Sequence, residues 1–295
     1  MNIFKQTASC ITTCLLIFLS GCSVRPLIYN NMADALVMPG QSTEEDLYLA
    51  RDASAFYLKF SEAVLHETPG NLRLAESVAA GFTQYAYAFV SFEADQVQSS
   101  DAKSAQRMKV RAARLYERAL RHAMRALEIS KPGFATALTQ SESAADLRLS
   151  ESQVGVAYWA AAAWGGMISL SKDDPERVAD LPLAMKLAKL AWIIQPDHGQ
   201  GSLSSLMGTF EAASPAGSIS AAEKYFDQAI AYSKGKSASP WVSKAESIAL
   251  TKQDPRSFER WLKEAIRISN AHRTLENEVM RARAVWLLET MDDLF

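Results

Sequence analysis

Cysteine is nearly missing from this chain. The three present, Cys10, Cys14 and Cys22, all fall within the first 22 of 295 residues. From Ser23 onward there is no thiol, which excludes disulfide staples, CxxC redox chemistry and cysteine zinc sites there. Proline and glycine are sparse, at 10 and 13 residues, and strand-and-turn folds lean on both. The four histidines, His66, His122, His198 and His272, are scattered. None has the HxxxH or HExxH spacing of a zinc site. An excess of one charge is also lacking: 31 Lys and Arg face 33 Asp and Glu. That balance gives no basic footprint for nucleic acid. After residue 22 no apolar run approaches the roughly 20 residues of a spanning helix.

Motifs for catalysis and cofactors are missing too. There is no G-x-S-x-G elbow. Gly235-Lys236-Ser237 resembles the end of a phosphate loop, but Ile230 stands where the earlier glycine is needed. Gly199-Gln200-Gly201 lacks the third glycine of a dinucleotide fingerprint, because Ser204 holds that position. Behind Pro196-Asp197 it reads as a turn between helices. Asp173-Asp174-Pro175 fits a helix start better than a metal site. Neither an enzyme, a cofactor nor a metal is expected.

What is present begins at the N-terminus. Lys5 is followed by the apolar run Cys10 to Leu19 and then Leu19-Ser20-Gly21-Cys22. A short apolar run behind a positive residue is a signal-peptide pattern. Small residues before a cysteine resemble a bacterial lipobox, in which the thiol is lipidated before cleavage. The expectation is a lipoprotein signal peptide over 1–21, a lipidated Cys22 at the head of the mature chain, and a membrane anchor through its acyl groups. Cleavage takes away one cation, Lys5, so the mature chain keeps a small acidic excess.

Residues 22–43 read as the lipidated cysteine plus a tether and arm, with Pro26, Pro39 and Gly40. Residues 44–295 read as one helical domain. Ser42 to Asp46 offers overlapping capping boxes. Ala50, Ala53, Tyr57, Phe60 and Val64 then recur at helical spacing, as do Ala75, Val78, Phe82, Tyr85, Phe89 and Phe92. A third stripe runs through Met108, Ala112, Leu115, Ala119, His122, Ala126 and Ile129. On that stripe His122 reads as a satisfied interior residue. The segment around Val154 to Leu170 is apolar on both faces, which predicts a central helix. Asp180 reads as the cap of the next helix, with Pro182 in its first turn. Shorter helices are predicted over 199–213, 220–233, 238–250, 255–269 and 272–290. Residues 134–151 are less periodic and leave room for one short helix.

Small residues recur within these helices. Ala119, Ala123 and Ala126 share their spacing with Ala184, Ala188 and Ala191, with Ala222, Phe226 and Ala229, and with Phe258, Leu262 and Ala265. Such positions let paired helices touch. The fold class is therefore all-α, a degenerate tetratricopeptide-like helical array. Tyr85 and Tyr87, then Tyr158, Trp159 and Trp164, gather on the central helices. They suit core packing, and they equally suit the wall of a pathway for an apolar or amphipathic ligand. Arg111 reads as a surface cation or as a partner for a carboxylate there. Trp159 and Trp164 point about 140° apart on a helix, so one wall does not hold both, and Trp159 is the better candidate.

At these residues the sequence resembles the T-component (TatT) family of tripartite ATP-independent periplasmic (TRAP) transporters. The likeness runs from Asn31-Met32-Ala33-Asp34-Ala35-Leu36 to the C-terminus. It is carried by Gly81 to Val90 with Glu93-Ala94-Asp95, by Arg111 to Tyr116, and by Tyr158-Trp159 with Trp164-Gly165. Ala179 to Pro182, Asn277, Arg281-Ala282-Arg283-Ala284 and Asp293-Leu294-Phe295 complete it. Two positions depart from the family pattern. His122-Ala123 stands where Tyr-Gly is common, and Ser204-Ser205 where His-Glu is common.

The resemblance implies a periplasmic lipoprotein with a channel or cavity through the protomer, a soluble TRAP-type binding protein as partner, and a homotrimer. With the pathway residues Tyr85, Arg111, Tyr116, Tyr158, Trp159 and Trp164, the expected function is an accessory component that passes an apolar or amphipathic solute. The competing expectation is an outer-membrane scaffolding lipoprotein that binds peptides or proteins in a groove. Ser23 after the cysteine, rather than Asp, points to the periplasmic face of the outer membrane. Replacing the lipidated residue, Cys22→Ser, is expected to leave an uncleaved precursor that takes up no fatty-acid label. Continued labelling of that variant would refute the anchor.

Overall fold

Residues rich in Ala, Leu, Lys and Glu favour helix. In the computed structural model residues 24–37, 44–140 and 147–295 are described, and they contain helices and no strand. The signal peptide, Cys22, the tether residues 38–43 and residues 141–146 lie outside the described residues. The arm carries α1 (Val24–Ala35), where a mixed segment was expected. It packs on the following helix, buries Ala33, and is tied down where the Tyr57 hydroxyl donates to the carbonyl of Leu36.

The helix α2 (Leu47–Glu67) starts after Asp46, whose carboxylate accepts from the N–H groups of Tyr48 and Leu49. The cap is thus Asp46, because its own oxygen reaches the first free donors. Its buried face runs through Ala50, Leu58, Ser61, Val64 and Leu65. That face is rotated from the predicted stripe: Phe60 and Phe56 stand out in solvent, stacked at 6.2 Å. Next come α3 (Leu72–Ala86), a five-residue π turn (Tyr87–Ser91) and α4 (Phe92–Val97). The long α5 (Ala102–Ser130) buries Ala105, Ala112, Ala119, Ala123 and Ala126 together with Tyr116 and Leu127. Ile129, predicted on that face, is exposed. Residues 134–151 hold the short α6 (Phe134–Gln140).

The centre is α7 (Glu151–Ser169), which packs against α3 and α5. Its small residues set how closely neighbours approach. A Cβ on Gly165 would come within 2.6 Å of the Phe210 ring, and one on Gly166 within 2.7 Å of the Tyr116 ring. Then follow α8 (Pro175–Ala179), α9 (Leu181–Ile194), α10 (Ser202–Ala213) and α11 (Ile219–Ser233). Of these, α9 also lies against α7. Asp180 precedes α9 without capping it; its side chain instead accepts from the Trp164 indole. The chain finishes with α12 (Ser239–Lys244), a second π turn (Ala245–Ala249), α13 (Pro255–Ala271) and α14 (Leu275–Glu289). All four small-residue triplets are fully buried, none more than 1% exposed. Each is therefore a close helix contact. The core divides into a large cluster from Ala33 to Phe210, a smaller one from Ala238 to Leu287, and a third of Ala222, Phe226 and Ile248.

Between α2 and α5 sits a charged staple. Glu62 bonds Lys59 at 2.6 Å, His122 at 2.7 Å and the Arg118 guanidinium. Arg118 lies over the Phe82 ring, and His122 stacks on the same ring. Burial pushes the Glu62 carboxyl up, but bonds from Arg118, Lys59 and His122 outweigh it and hold the group at about 2. Burial keeps His122 below the usual imidazole range, with Glu62 opposing. Both folded pKa values are depressed. The stability from Glu62 is therefore present above pH about 4.5 and lost as pH falls towards about 2; that from His122 goes first, below about 6.5. Glu62→Gln is expected to lower Tm at pH 7 by roughly 4 °C. The gap to the native chain should close between pH 4.5 and 2 in thermal melts. A gap that ignores pH would assign Glu62 to packing alone.

Candidate functional site

Where the two larger clusters meet, at Tyr87, which packs against both, apolar packing gives way to a polar seam beside α14. Its first part is built on Arg283 of α14. The guanidinium donates to Glu246 at 2.6 Å and to Asp95 at 3.1 Å. It also lies 5.4 to 5.7 Å from the centres of the Phe92, Tyr87 and Trp286 rings. Burial opposes its charge; Tyr87, Glu246 and Asp95 outweigh burial and keep it a fixed cation. Tyr87 and Glu246 each belong to one of the two π turns. An i to i+5 bond inserts an extra residue and rotates the helix beyond it. The two turns aim an aromatic face and a carboxylate at the same guanidinium. Tyr116 lies close by, and burial pushes its hydroxyl, like that of Tyr87, far up and keeps it neutral.

The second part surrounds Tyr158 of α7. Its ring meets Trp159 edge-on at 4.7 Å and His198 at 5.4 Å. His198 Nε2 is 3.9 Å from a carboxylate oxygen of Glu76 on α3. That carboxylate lies over Gly155, where an added Cβ would come within 2.2 Å of it. Glu276, in the first turn of α14, accepts from the Ser237 hydroxyl at 3.2 Å. Its charge acts on the Tyr158 hydroxyl, which burial already pushes up. Burial raises both Glu76 and Glu276 above the usual carboxylate range and lowers His198. The neighbouring Glu278 differs. Burial opposes its charge too, but Arg281 and Arg273 pair with it and hold it low.

The six pathway candidates separate. Tyr158 and Trp159 touch each other, and Tyr116 lies beside Tyr87 and Arg283. Trp164 is buried and committed to Asp180. Tyr85 sets its ring edge-on to Phe89 at 5.4 Å. Arg111 is exposed on α5, and the guanidinium that meets carboxylates among these aromatics is that of Arg283. Sequence reasoning passed over Asp95, Glu246, Glu76, His198 and Glu276. Asp95 and Arg283 did stand in the motif strings, with no role attached. The departure at Ser204 is accommodated by bonds to the Trp192 indole and the Pro196 carbonyl. Two concavities, of about 400 and 350 Å³, are open surface depressions; one is lined by Arg256 to Arg267 and the other by residues that include Asp95 and Lys172. Neither includes the six candidates. The seam sets fixed charges and aromatic faces around Tyr158 and Tyr116, which suits holding a molecule. Among the described residues no group of three acidic or histidine side chains is placed to hold a metal.

Removing the central cation while keeping its bulk tests the seam. Arg283→Met leaves Asp95 and Glu246 without their partner and is expected to cost about 3 kcal/mol in urea denaturation. A loss below about 1 kcal/mol, the range of an exposed ion pair, would mean that apolar contacts alone join the cores.

A family model described as the TRAP transporter T-component matches residues 43–295. A relative from Treponema pallidum (strain Nichols), described as an uncharacterized protein, is 23% identical over 309 residues. The alignment takes in 96% of this chain and 95% of that one. With helices throughout and the family pattern running through the seam, the chain belongs to the TRAP transporter T-component family.

Proposed function

We propose that this protein is a lipid-anchored periplasmic accessory component of a TRAP-type uptake system. It docks a soluble binding protein and passes an apolar or amphipathic solute along the seam beside Tyr116, Tyr158 and Trp159. The family match over residues 43–295 carries this reading. That family is a transport accessory component and not an enzyme family. The seam is consistent with it, offering aromatic faces and held charges for binding.

Membrane attachment falls to Cys22 in this proposal, at the outer membrane's periplasmic face. No helix among the described residues is long and apolar enough to cross a membrane. More than one acyl chain gives stable anchoring, where a single one is marginal. The repeated close contacts at the alanine triplets support a tetratricopeptide-like superhelix, and the seam is where we place its cavity. Self-association into a homotrimer belongs to the same proposal.

The scaffolding reading stays in view because of α2. Tyr48, Leu49, Phe56 and Phe60 are exposed there, and an exposed apolar face is a place for a protein partner. Sedimentation of the unlipidated mature chain with the binding protein encoded nearest to it separates the two readings. A complex with a Kd of about 1–10 μM is expected, since a carrier that must leave needs a fast off-rate. No association at tens of micromolar, with or without solute extract, would leave scaffolding as the better account.

A further inference from the structure

The helix α2 carries apolar side chains on two faces. One is the buried face through Leu58, Val64 and Leu65. The other holds Leu49, Ala53, Phe56 and Phe60, and all four are exposed. Their spacings of 4, 3 and 4 place them within about 60° of one another around the helix. That is the spacing of a seam that receives another helix. The Phe56 and Phe60 rings stack on each other at 6.2 Å and stand out into solvent. The small Ala53 beside them leaves a hollow of the kind into which a ring from outside can fit.

The borders of this stripe indicate what covers it. One border is Tyr57, where α1 is tied on through the Leu36 carbonyl. The other carries Asp52 and Lys59, seven residues apart and both exposed. The ends of the helix repeat that order: the exposed Glu45 precedes it, and the exposed His66 stands in its last turn. Acid comes first and base follows, so the border is complementary to itself when turned end for end. Setting Ala53 against Phe56 of a second copy sets Leu49 against its Phe60 and Asp52 against its Lys59. The same register brings Glu45 towards its His66. Twofold symmetry makes each of these contacts twice. A parallel pair would set like charge against like. A lipid surface presents no order of charge along the helix for this one to match. Within their own chain Glu45 pairs with Arg273 at 2.9 Å and Lys59 with Glu62 at 2.6 Å, and both remain more than half exposed.

We propose that the exposed stripe of α2 is a self-association surface, covered by the same stripe of a second copy in antiparallel register. The twofold axis passes between Ala53 and Phe56. A contact of this kind joins two copies and no more, whereas a ring of three needs head-to-tail surfaces. It is therefore distinct from the contacts of the proposed homotrimer, and the two together would assemble six copies. It is also independent of solute handling and of the binding protein. With the axis along the membrane normal, both N-termini lie at one height, as the proposed lipid anchor requires.

The test uses the chain without its signal peptide and with Cys22→Ser, which retains every described helix. Sedimentation equilibrium from about 1 to about 500 μM is expected to show its mass doubling from that of the smaller species. Phe56 is 75% exposed, so Phe56→Gln leaves the fold intact. It removes two rings from each pair and is expected to weaken the doubling about tenfold or more. Asp52→Lys sets lysine against lysine, and Lys59→Asp sets aspartate against aspartate. Each is expected to weaken the doubling about fivefold or more, with far-UV circular dichroism unchanged. An equimolar mixture of these two variants should recover it, because one copy then carries two lysines and the other two aspartates. Absence of doubling would overturn the proposal, as would doubling that ignores Phe56→Gln or both charge variants. A mixture as weak as its components would overturn the antiparallel register and the proposal with it. Phe56→Gln that releases the chain from phosphatidylethanolamine vesicles or from the binding protein, with its own mass unchanged, would give the face to lipid or to that partner instead.

Discussion

Arg283 carries a charge into the contact between two apolar cores, where little water remains to solvate it. The structure tolerates that because each polar atom of the guanidinium is directed at a carboxylate and its faces lie near aromatic rings. Desolvation and Coulomb attraction nearly cancel in such arrangements, so the pair adds less to net stability than its short distances suggest. Its greater effect is on geometry. A planar fork bonded to Glu246 and Asp95 accepts few orientations of α14 against α4 and the second π turn. The register of the C-terminal helices against the larger cluster follows from that restriction.

Small residues set the other half of the geometry. Along α7, Gly155, Gly165 and Gly166 each receive a bulky group from a different neighbour: Glu76, Phe210 and Tyr116. A central helix with these three notches draws α3, α10 and α5 close without filling its own face. What stands where the two larger clusters meet, around Tyr87 and Arg283, is aromatic and polar rather than a continuous apolar core. The alanine triplets do the same at the periphery, where buried alanines bring paired helices together at little loss of side-chain entropy. The protein, without disulfides after residue 22, is held by dense small-residue contacts and by a few well-satisfied polar joints such as Glu62 and Asn277.

The tyrosines of the polar seam are held neutral by burial and its arginine is a fixed cation, while burial shifts Glu76, Glu276 and His198 towards their neutral forms. Phe56 and Phe60 on α2 stand exposed and belong to neither part of the seam.

The sequence by itself determined the helical class, most of the element boundaries, the central position of α7 and the burial of all four small-residue triplets. Each of these depends on periodicity within one segment, which short-range physics governs. It also held the family pattern, including Asp95 and Arg283 as residues without assigned roles. Tertiary structure decided the rest. The π turns have no local signature, because an i to i+5 bond becomes favourable only when a distant group rewards the extra residue. Asp180, a reasonable cap by its position, turned to Trp164 instead. Arg283 and Asp95 are 188 residues apart, and nothing near either marks the other. Glu276 and Glu278 look alike in sequence, two acids in one helical turn. Glu278 is neutralised by two arginines and Glu276 accepts from the Ser237 hydroxyl instead, because a step of two residues turns the side chain by roughly 200° around the helix.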